Sequence, residues 1–390
     1  MGKIRHFIVS VYKIYAYILF GSKPDVIFYY PQHFNRSDKG TNPYFDPMLD
    51  ICKERGIRYL LLEEPDASTP QPRNKDSVPA DFLFWTILAV RKAARMVSGS
   101  DYIKQERVTA RIINILTFGK LRVKKFVTIS GSMEHLFSAI NKKGEVYDLQ
   151  HGIIYTTHWG YFDEGGNILE THHVRNLNFL VFGSGFYDLF FINENNNHIL
   201  KNRVSIIGDP LSCDRIASDS GSSLLYSLQF TCGETDANRR ELTRLFDTSL
   251  TEISGCGDDI LYKHHPRFNN AFDLSGITGK YGDIFETSEK INTLKDKIKL
   301  HITFSSTTCF EYAAYGIPTY FLYSDIIPQG KSIFYGEYKY PLYKDMTLKE
   351  VTERLKDPVK ASEDAKTVKE WYDKFYSPFD KEAFYKIIKS

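Results

Sequence analysis

The run Asp148-Leu-Gln-His-Gly-Ile-Ile-Tyr-Thr-Thr-His158-Trp-Gly-Tyr161 places two histidines just beyond an apolar segment and beside glycines. Histidine titrates near neutrality, so His151 at a strand end could take a proton from a substrate hydroxyl or steady a phosphate. Gly152 is expected to let the backbone turn sharply there. The plainer alternative is a hydrogen-bonded loop histidine. His158, seven residues on, is expected to contact acceptor or donor. Asp163-Glu164-Gly165 follows in a segment (161–167) that could be an exposed hairpin turn. His172 and His173, in a polar loop, are expected to be solvated.

Two later clusters suit an anionic ligand. In Tyr262-Lys263-His264-His265-Pro266-Arg267, the proline fixes the turn after a strand, so that Lys263, His265 and Arg267 can address phosphate. The alternative is an ordinary basic surface loop. In Phe304-Ser305-Ser306-Thr307-Thr308-Cys309-Phe310-Glu311, hydroxyl residues at a strand-to-helix junction predict a capped helix with free N–H groups for phosphate. Glu311, one turn on, is placed to meet a ribose or brace the loop. The alternative is simply a well-capped helix. Gly183-Ser184-Gly185 follows another strand, but the wider dinucleotide fingerprint is absent.

These groups need strands to position them, and the pattern supplies alternating strands and helices. Strands are predicted at 25–30, 58–62, 125–129, 145–149, 178–182 and 204–207, with helices at 47–55, 81–97, 133–141 and 186–191. Residues 209–223, rich in Ser, Asp and Gly, predict a linker. Beyond it, strands at 224–230, 259–263, 299–304 and 319–323 and helices at 236–253 and 307–315 restart the alternation, followed by helices at 348–355, 365–375 and 381–389. The expected architecture is α/β: two Rossmann-like doubly wound domains facing a central cleft, with a helical carboxy-terminal tail. The domains are expected at 1–210 (acceptor) and 211–365 (nucleotide donor), with 366–390 packing back toward the first.

At 390 residues the chain fits two domains, each with its own core. Lys+Arg 50 against Asp+Glu 48 gives a net charge of +2, no global field for nucleic acid. Five scattered cysteines without a CxxC spacing argue against a disulfide framework or structural zinc and fit a reducing cytoplasm, possible contact with the membrane's inner face included. No His, Cys or acidic cluster has metal-ligand spacing, so no metal is expected. Residues 1–20 are apolar and aromatic with interleaved Lys3, Arg5 and Lys13. They read either as a helix packed on its own domain or as an interfacial membrane helix.

The order of these motifs resembles the GT-B glycosyltransferase fold, and within it the bacterial capsule and lipopolysaccharide transferases with a Gln-His-Gly loop. In the CMP-sialic acid, Kdo and CDP-polyol branches, a His-Pro and a Ser-Ser motif hold the donor phosphates; His265-Pro266 and Ser305-Ser306 match them. In teichoic-acid-type polymerases the histidine of a His-Gly motif is the catalytic base, as His151-Gly152 would be; many sialyltransferases of the fold instead carry a general-base carboxylate in an acidic-acidic-Gly motif, which Asp163-Glu164-Gly165 matches in letters and which would make Asp163 and Glu164 rival bases ranked below His151. The resemblance spans most of residues 25–330 through brief motifs. It implies metal-independent transfer from a nucleotide sugar, a cytidine nucleotide favoured, to a glycan or glycolipid acceptor. A nucleotide-sugar 2-epimerase and a noncatalytic polysaccharide assembly protein remain the alternatives.

Overall fold

The computed structural model describes residues 2–66, 72–129, 131, 133–212, 221–231, 234–265, 272–281 and 284–390. The chain divides into two compact units, residues 1–212 with 376–390 and residues 213–375.

The first unit contains α1 (Gly2–Phe20), β1 (Val26–Pro31), α2 (Asp46–Glu54), β2 (Tyr59–Glu64), β3 (Val78–Pro79), α3 (Asp81–Ser98) and α4 (Tyr102–Leu116). It continues with β4 (Lys125–Ile129), α5 (Glu134–Ile140), β5 (Glu145–Leu149), β6 (Leu177–Val181), α6 (Ser184–Leu189), α7 (Asn196–Leu200) and β7 (Val204–Ile206). Every strand pair is parallel, in the order β3-β2-β1-β4-β5-β6-β7. β1 and β4 are buried along their whole length. Helix-covered parallel sheets require this, and it is why these strands read as unbroken apolar runs. The order reverses direction between β1 and β4, which makes their carboxyl ends the topological switch point where open α/β sheets bind ligands.

The second unit holds β8 (Ser223–Ser227), α8 (Asp236–Ile253), β9 (Ile260–Lys263), α9 (Ser275–Thr278), β10 (Ile284–Glu286), α10 (Ile291–Leu294) and β11 (Ile298–Thr303). α11 (Thr308–Ala313), β12 (Thr319–Phe321), α12 (Leu348–Arg354) and α13 (Pro358–Phe375) follow. Its parallel sheet runs β10-β9-β8-β11-β12, with the switch point between β8 and β11. Leu224, Tyr226, Phe246, Leu250, Leu300 and Ile302 form the centre of its core. The chain is thus α/β with two doubly wound parallel sheets.

Residues 366–375, grouped at the sequence level with the tail, are instead the second half of α13, whose Trp371 stacks on Phe310 of α11 at 4.7 Å. Pro358, suited to a first helical turn, starts that helix seven residues before the expected 365. The chain rejoins the first unit only from Tyr376, ending in α14 (Lys381–Lys389) beside α2. Residues 209–212, expected in the linker, also belong to the first unit. Asp209 donates its N–H to the Ser377 carbonyl, and Asp380 donates to that of Ile207. Gly208 has φ +78°, and a Cβ there would stand 2.0 Å from the Pro378 carbonyl oxygen, so the close approach of the tail demands glycine. Residues 213–220 lie outside the described set.

Candidate active site

His151 follows β5 by two residues, at the carboxyl edge of the first sheet. Gln150, fully buried, fixes this turn: its Nε2 donates to the Gly152 carbonyl at 2.7 Å and its Oε1 accepts from the Phe182 N–H at 2.9 Å, tying the end of β5 to the end of β6. The Tyr44 hydroxyl donates to the His151 carbonyl at 3.2 Å, and the Phe34 ring meets the imidazole edge-on at 5.5 Å. The backbone bends at Gly152, where the sharp turn was expected. It is absent from the glycines at positive φ, and an added Cβ would meet nothing within 4 Å. The Gln150 clamp holds this turn, which needs neither a left-handed backbone nor a missing side chain at Gly152.

Burial lowers the His151 pKa, and the nearby imidazoles of His158 and His33 push the same way. The Leu149 carbonyl partly opposes this, although among the described residues no acceptor meets the buried Nδ1 in hydrogen-bond geometry. The ring is thus neutral at pH 7, the state a general base needs.

His158 is half-buried against Tyr155 and Tyr161, at ring distances of 5.1 and 5.3 Å. Its Nδ1 accepts from the Gly160 N–H at 3.1 Å, which leaves Nε2 to carry the proton of the neutral ring, and burial lowers its pKa. Asp163 is committed elsewhere. Its Oδ1 accepts from the N–H groups of Gly165 and Asn167, and Oδ2 from Asn167 Nδ2 at 3.1 Å, closing the turn whose bridge pairs Phe162 with Ile168. Asn167 holds this exposed carboxyl below the usual range, which weakens it as a base. Glu164 is exposed on the same turn. His172, expected in solvent, is buried: it stacks on His135 at 5.3 Å, its Nε2 lies 2.9 Å from the Gly160 carbonyl, and burial pushes its pKa down to about 4. His173 is exposed.

A histidine–carboxylate pair at this edge escaped the sequence reading. His33, just after β1, places Nδ1 2.7 Å from Asp66 Oδ2, and the Asp66 N–H donates to Gln32 Oε1. The neighbouring loop is pinned by Glu63, fully buried, whose Oε2 accepts from Tyr30, Asn35, Ser77 and the Asn74 N–H. Carboxylate support at Nδ1 leaves Nε2 as the working nitrogen, the arrangement that orients catalytic imidazoles. The available signal was His33 standing directly after a strand ended by proline.

In the second unit, Ser305, Ser306 and Thr307 gather at the carboxyl end of β11, on the switch point. The expected open N–H groups are largely committed. The Ser305 N–H donates to Gln229 Oε1 at 2.6 Å, that of Ser306 to Thr303 Oγ1 at 3.4 Å, and that of Thr308 to Ser306 Oγ at 3.3 Å. A phosphate would have to displace these side-chain acceptors. Thr307 and Glu311 are exposed. His301, which the sequence reading did not single out, lies fully buried beneath the loop between Ser227 Oγ (2.9 Å) and Thr319 Oγ1 (3.0 Å), with its pKa pushed down to about 3 by burial. Gly330 sits so close to the Phe304 carbonyl that a Cβ would come within 2.9 Å of it.

Lys263 at the end of β9 donates Nζ to the Glu289 carbonyl at 2.6 Å. His265 lines a depression of about 500 Å³ with Tyr262, His264, Ser275, Thr278 and Glu286. Pro266 and Arg267 lie outside the described residues. β9 and β11 flank β8, so the ends carrying His265 and Ser305 stand two strand spacings apart, roughly 10 Å. A ligand that meets both must cross the end of β8 over Leu228 and Gln229, which calls for an extended molecule rather than a lone phosphate. Gly183 belongs to the first unit, buried at the amino end of α6. Among the described residues no three or more His, Cys, Asp or Glu are grouped to hold a metal ion, and no helix is long and apolar enough to cross a membrane.

No family model and no curated protein matches the sequence. Among solved structures, the chain is similar to the wall teichoic acid polymerase TagF (TM-score 0.46, 14% identity, 100% of this chain and 96% of that chain). It is similar also to the UDP-GlcNAc 2-epimerase of Methanocaldococcus jannaschii (0.49, 11%, 93% and 98%) and to MnaA of S. aureus with UDP (0.47, 10%, 94% and 95%). Likenesses of this degree assign no activity and no residue role.

Proposed function

We propose that the chain is a glycosyltransferase that moves a sugar from a nucleotide-activated donor, a cytidine nucleotide favoured, to a surface glycan such as capsule, O-antigen or lipooligosaccharide. The observation that supports this most is His151, kept neutral by burial and held by the Gln150 clamp at the carboxyl edge of the first sheet. In this reading His151 takes the proton from the acceptor hydroxyl, with His158 contacting substrate beside it. The second unit holds the donor through His265 and the 305–307 loop, with Lys263 and Glu311 completing the site and Arg267 assigned to the phosphate from the sequence pattern alone. As the bond between sugar and phosphate breaks, negative charge grows on the leaving nucleotide, and donors aimed there stabilise the transition state more than the ground state.

The test is calorimetric titration of CMP, CDP, UDP and GDP, followed by transfer assays with and without a glycan acceptor. The expected results are preferential binding of a cytidine nucleotide, weakened by roughly 1–3 kcal/mol in Ser305→Ala or His265→Ala, and donor turnover that needs acceptor. Unchanged affinity in a folded double variant would remove the donor site from this loop. Sugar isomerisation without acceptor would make the protein an epimerase.

A further inference from the structure

The layer α1–α3–α4 presents an apolar and basic surface with no counterpart in the core. α1 packs through Ser10, Ile14 and Ile18: the Ser10 hydroxyl donates to the Pro79 carbonyl and accepts from the Phe82 N–H. Packing and exposure, taken as alternatives at the sequence level, coexist in this helix. Ile8, Tyr12 and Leu19, spaced i, i+4, i+11, form a second apolar stripe on the opposite side, with Tyr12 74% exposed. A surface helix in water normally turns polar residues that way. α3, packed between α1 and α4, repeats the pattern with Trp85 and Met96 on one exposed face, Met96 at 88%. On α4 Tyr102, Ile112 and Ile115 are exposed, Ile115 the most at 72%.

Within the described parts of these helices the exposed charged side chains are all basic, Asp101 at the start of α4 being the exposed acidic neighbour. Lys13, Lys92, Arg95, Lys104, Arg107 and Arg111 are exposed on the three helices. The acidic residues within the described parts of the same helices, Asp81 and Glu106, are buried and paired with Arg73 and Arg91. A chain of net charge +2 has thus concentrated cations where it also exposes tryptophan, tyrosine and aliphatic side chains. A surface that is apolar, aromatic and basic matches an anionic lipid headgroup layer, with rings and aliphatics at the acyl boundary and cations at the phosphates.

We propose that the outer faces of α1, α3 and α4 dock this protein on an anionic membrane surface, without any helix crossing it. The inference is independent of the reaction proposed above. It is tested by co-sedimentation of the full chain with vesicles of phosphatidylcholine alone or in equal parts with phosphatidylglycerol. Two variants, Lys92→Gln/Arg95→Gln/Arg107→Gln and Trp85→Ser/Met96→Ser, alter exposed side chains only. The expected result is binding to the mixed vesicles that falls with salt, little binding to phosphatidylcholine, and a loss of about tenfold or more in each variant with melting temperature unchanged. Failure of the parent protein to sediment with mixed vesicles would overturn the proposal, as would variants that bind like the parent. Loss of binding confined to Tyr12→Ser/Leu19→Ser would reduce the contact to α1 and overturn the three-helix surface. A dimer in solution that Trp85→Ser/Met96→Ser dissociates would identify the face as an interface between copies instead.

Discussion

Replacing Gln150 by leucine tests how the His151 turn is held. The substitution roughly keeps the side chain's volume and removes both of its hydrogen bonds. The Phe182 N–H, in a buried segment, is left unpaired, at about 1–3 kcal/mol, whereas the carbonyl of exposed Gly152 regains water and costs about 1 kcal/mol or less. The sum, roughly 1–4 kcal/mol, should lower the melting temperature of the first unit by about 2–16 °C at the usual sensitivity for a domain of this size. Scanning calorimetry reads the shift. Turnover measured well below that melting temperature should fall through kcat, because the imidazole loses its fixed place, while calorimetric affinity for the nucleotide should stay at the parent value. A Gln150→Leu protein that melts with the parent would refute the clamp. One that is destabilised yet keeps its kcat would refute the link between clamp and base.

Two further outcomes follow from the same geometry. Asp163→Asn should leave turnover near the parent value, because that carboxylate closes an exposed turn; a dead, folded variant would return it to the chemistry. Stability should fall on acidification below the ordinary histidine pKa near 6.5, since His172 and His301 have folded pKa values of about 4 and about 3 and the unfolded chain binds their protons first. The loss should continue down to those values, and a melting temperature flat from pH 6.5 to 4 would contradict the buried neutral state of both.

Much of the fold was legible because parallel strands covered on both faces must be apolar throughout. Residues 125–129 and 145–149 were read to the residue, and so was α8 at 236–253. α4 went unread because its buried residues Glu106, Thr109, Ala110 and Ile113 include few large apolar side chains, although Asp101 caps it through the Lys104 N–H. β3 and β10, of two and three residues at sheet edges, carry too few positions for a period. The candidate site divides the same way. His151 and Ser305 announce themselves by standing after strands. The His33–Asp66 pair is invisible in sequence because its members lie 33 residues apart and meet only through the register that sets Tyr30 beside Glu63 and Pro31 beside Glu64. Gln229 reaches Ser305 by the same kind of parallel pairing, between β8 and β11.

The central claim is that His151 acts as the base, and it now has a rival at the same sheet edge. Steady-state turnover of His151→Ala and His33→Ala with nucleotide donor and acceptor, alongside nucleotide affinity, separates the two. His151→Ala should lose about 10²–10⁴-fold in turnover with nucleotide affinity unchanged, whereas His33→Ala keeps most of its turnover. A His151→Ala enzyme that retains its turnover while His33→Ala loses it would contradict the account and give the proton transfer to the His33–Asp66 dyad.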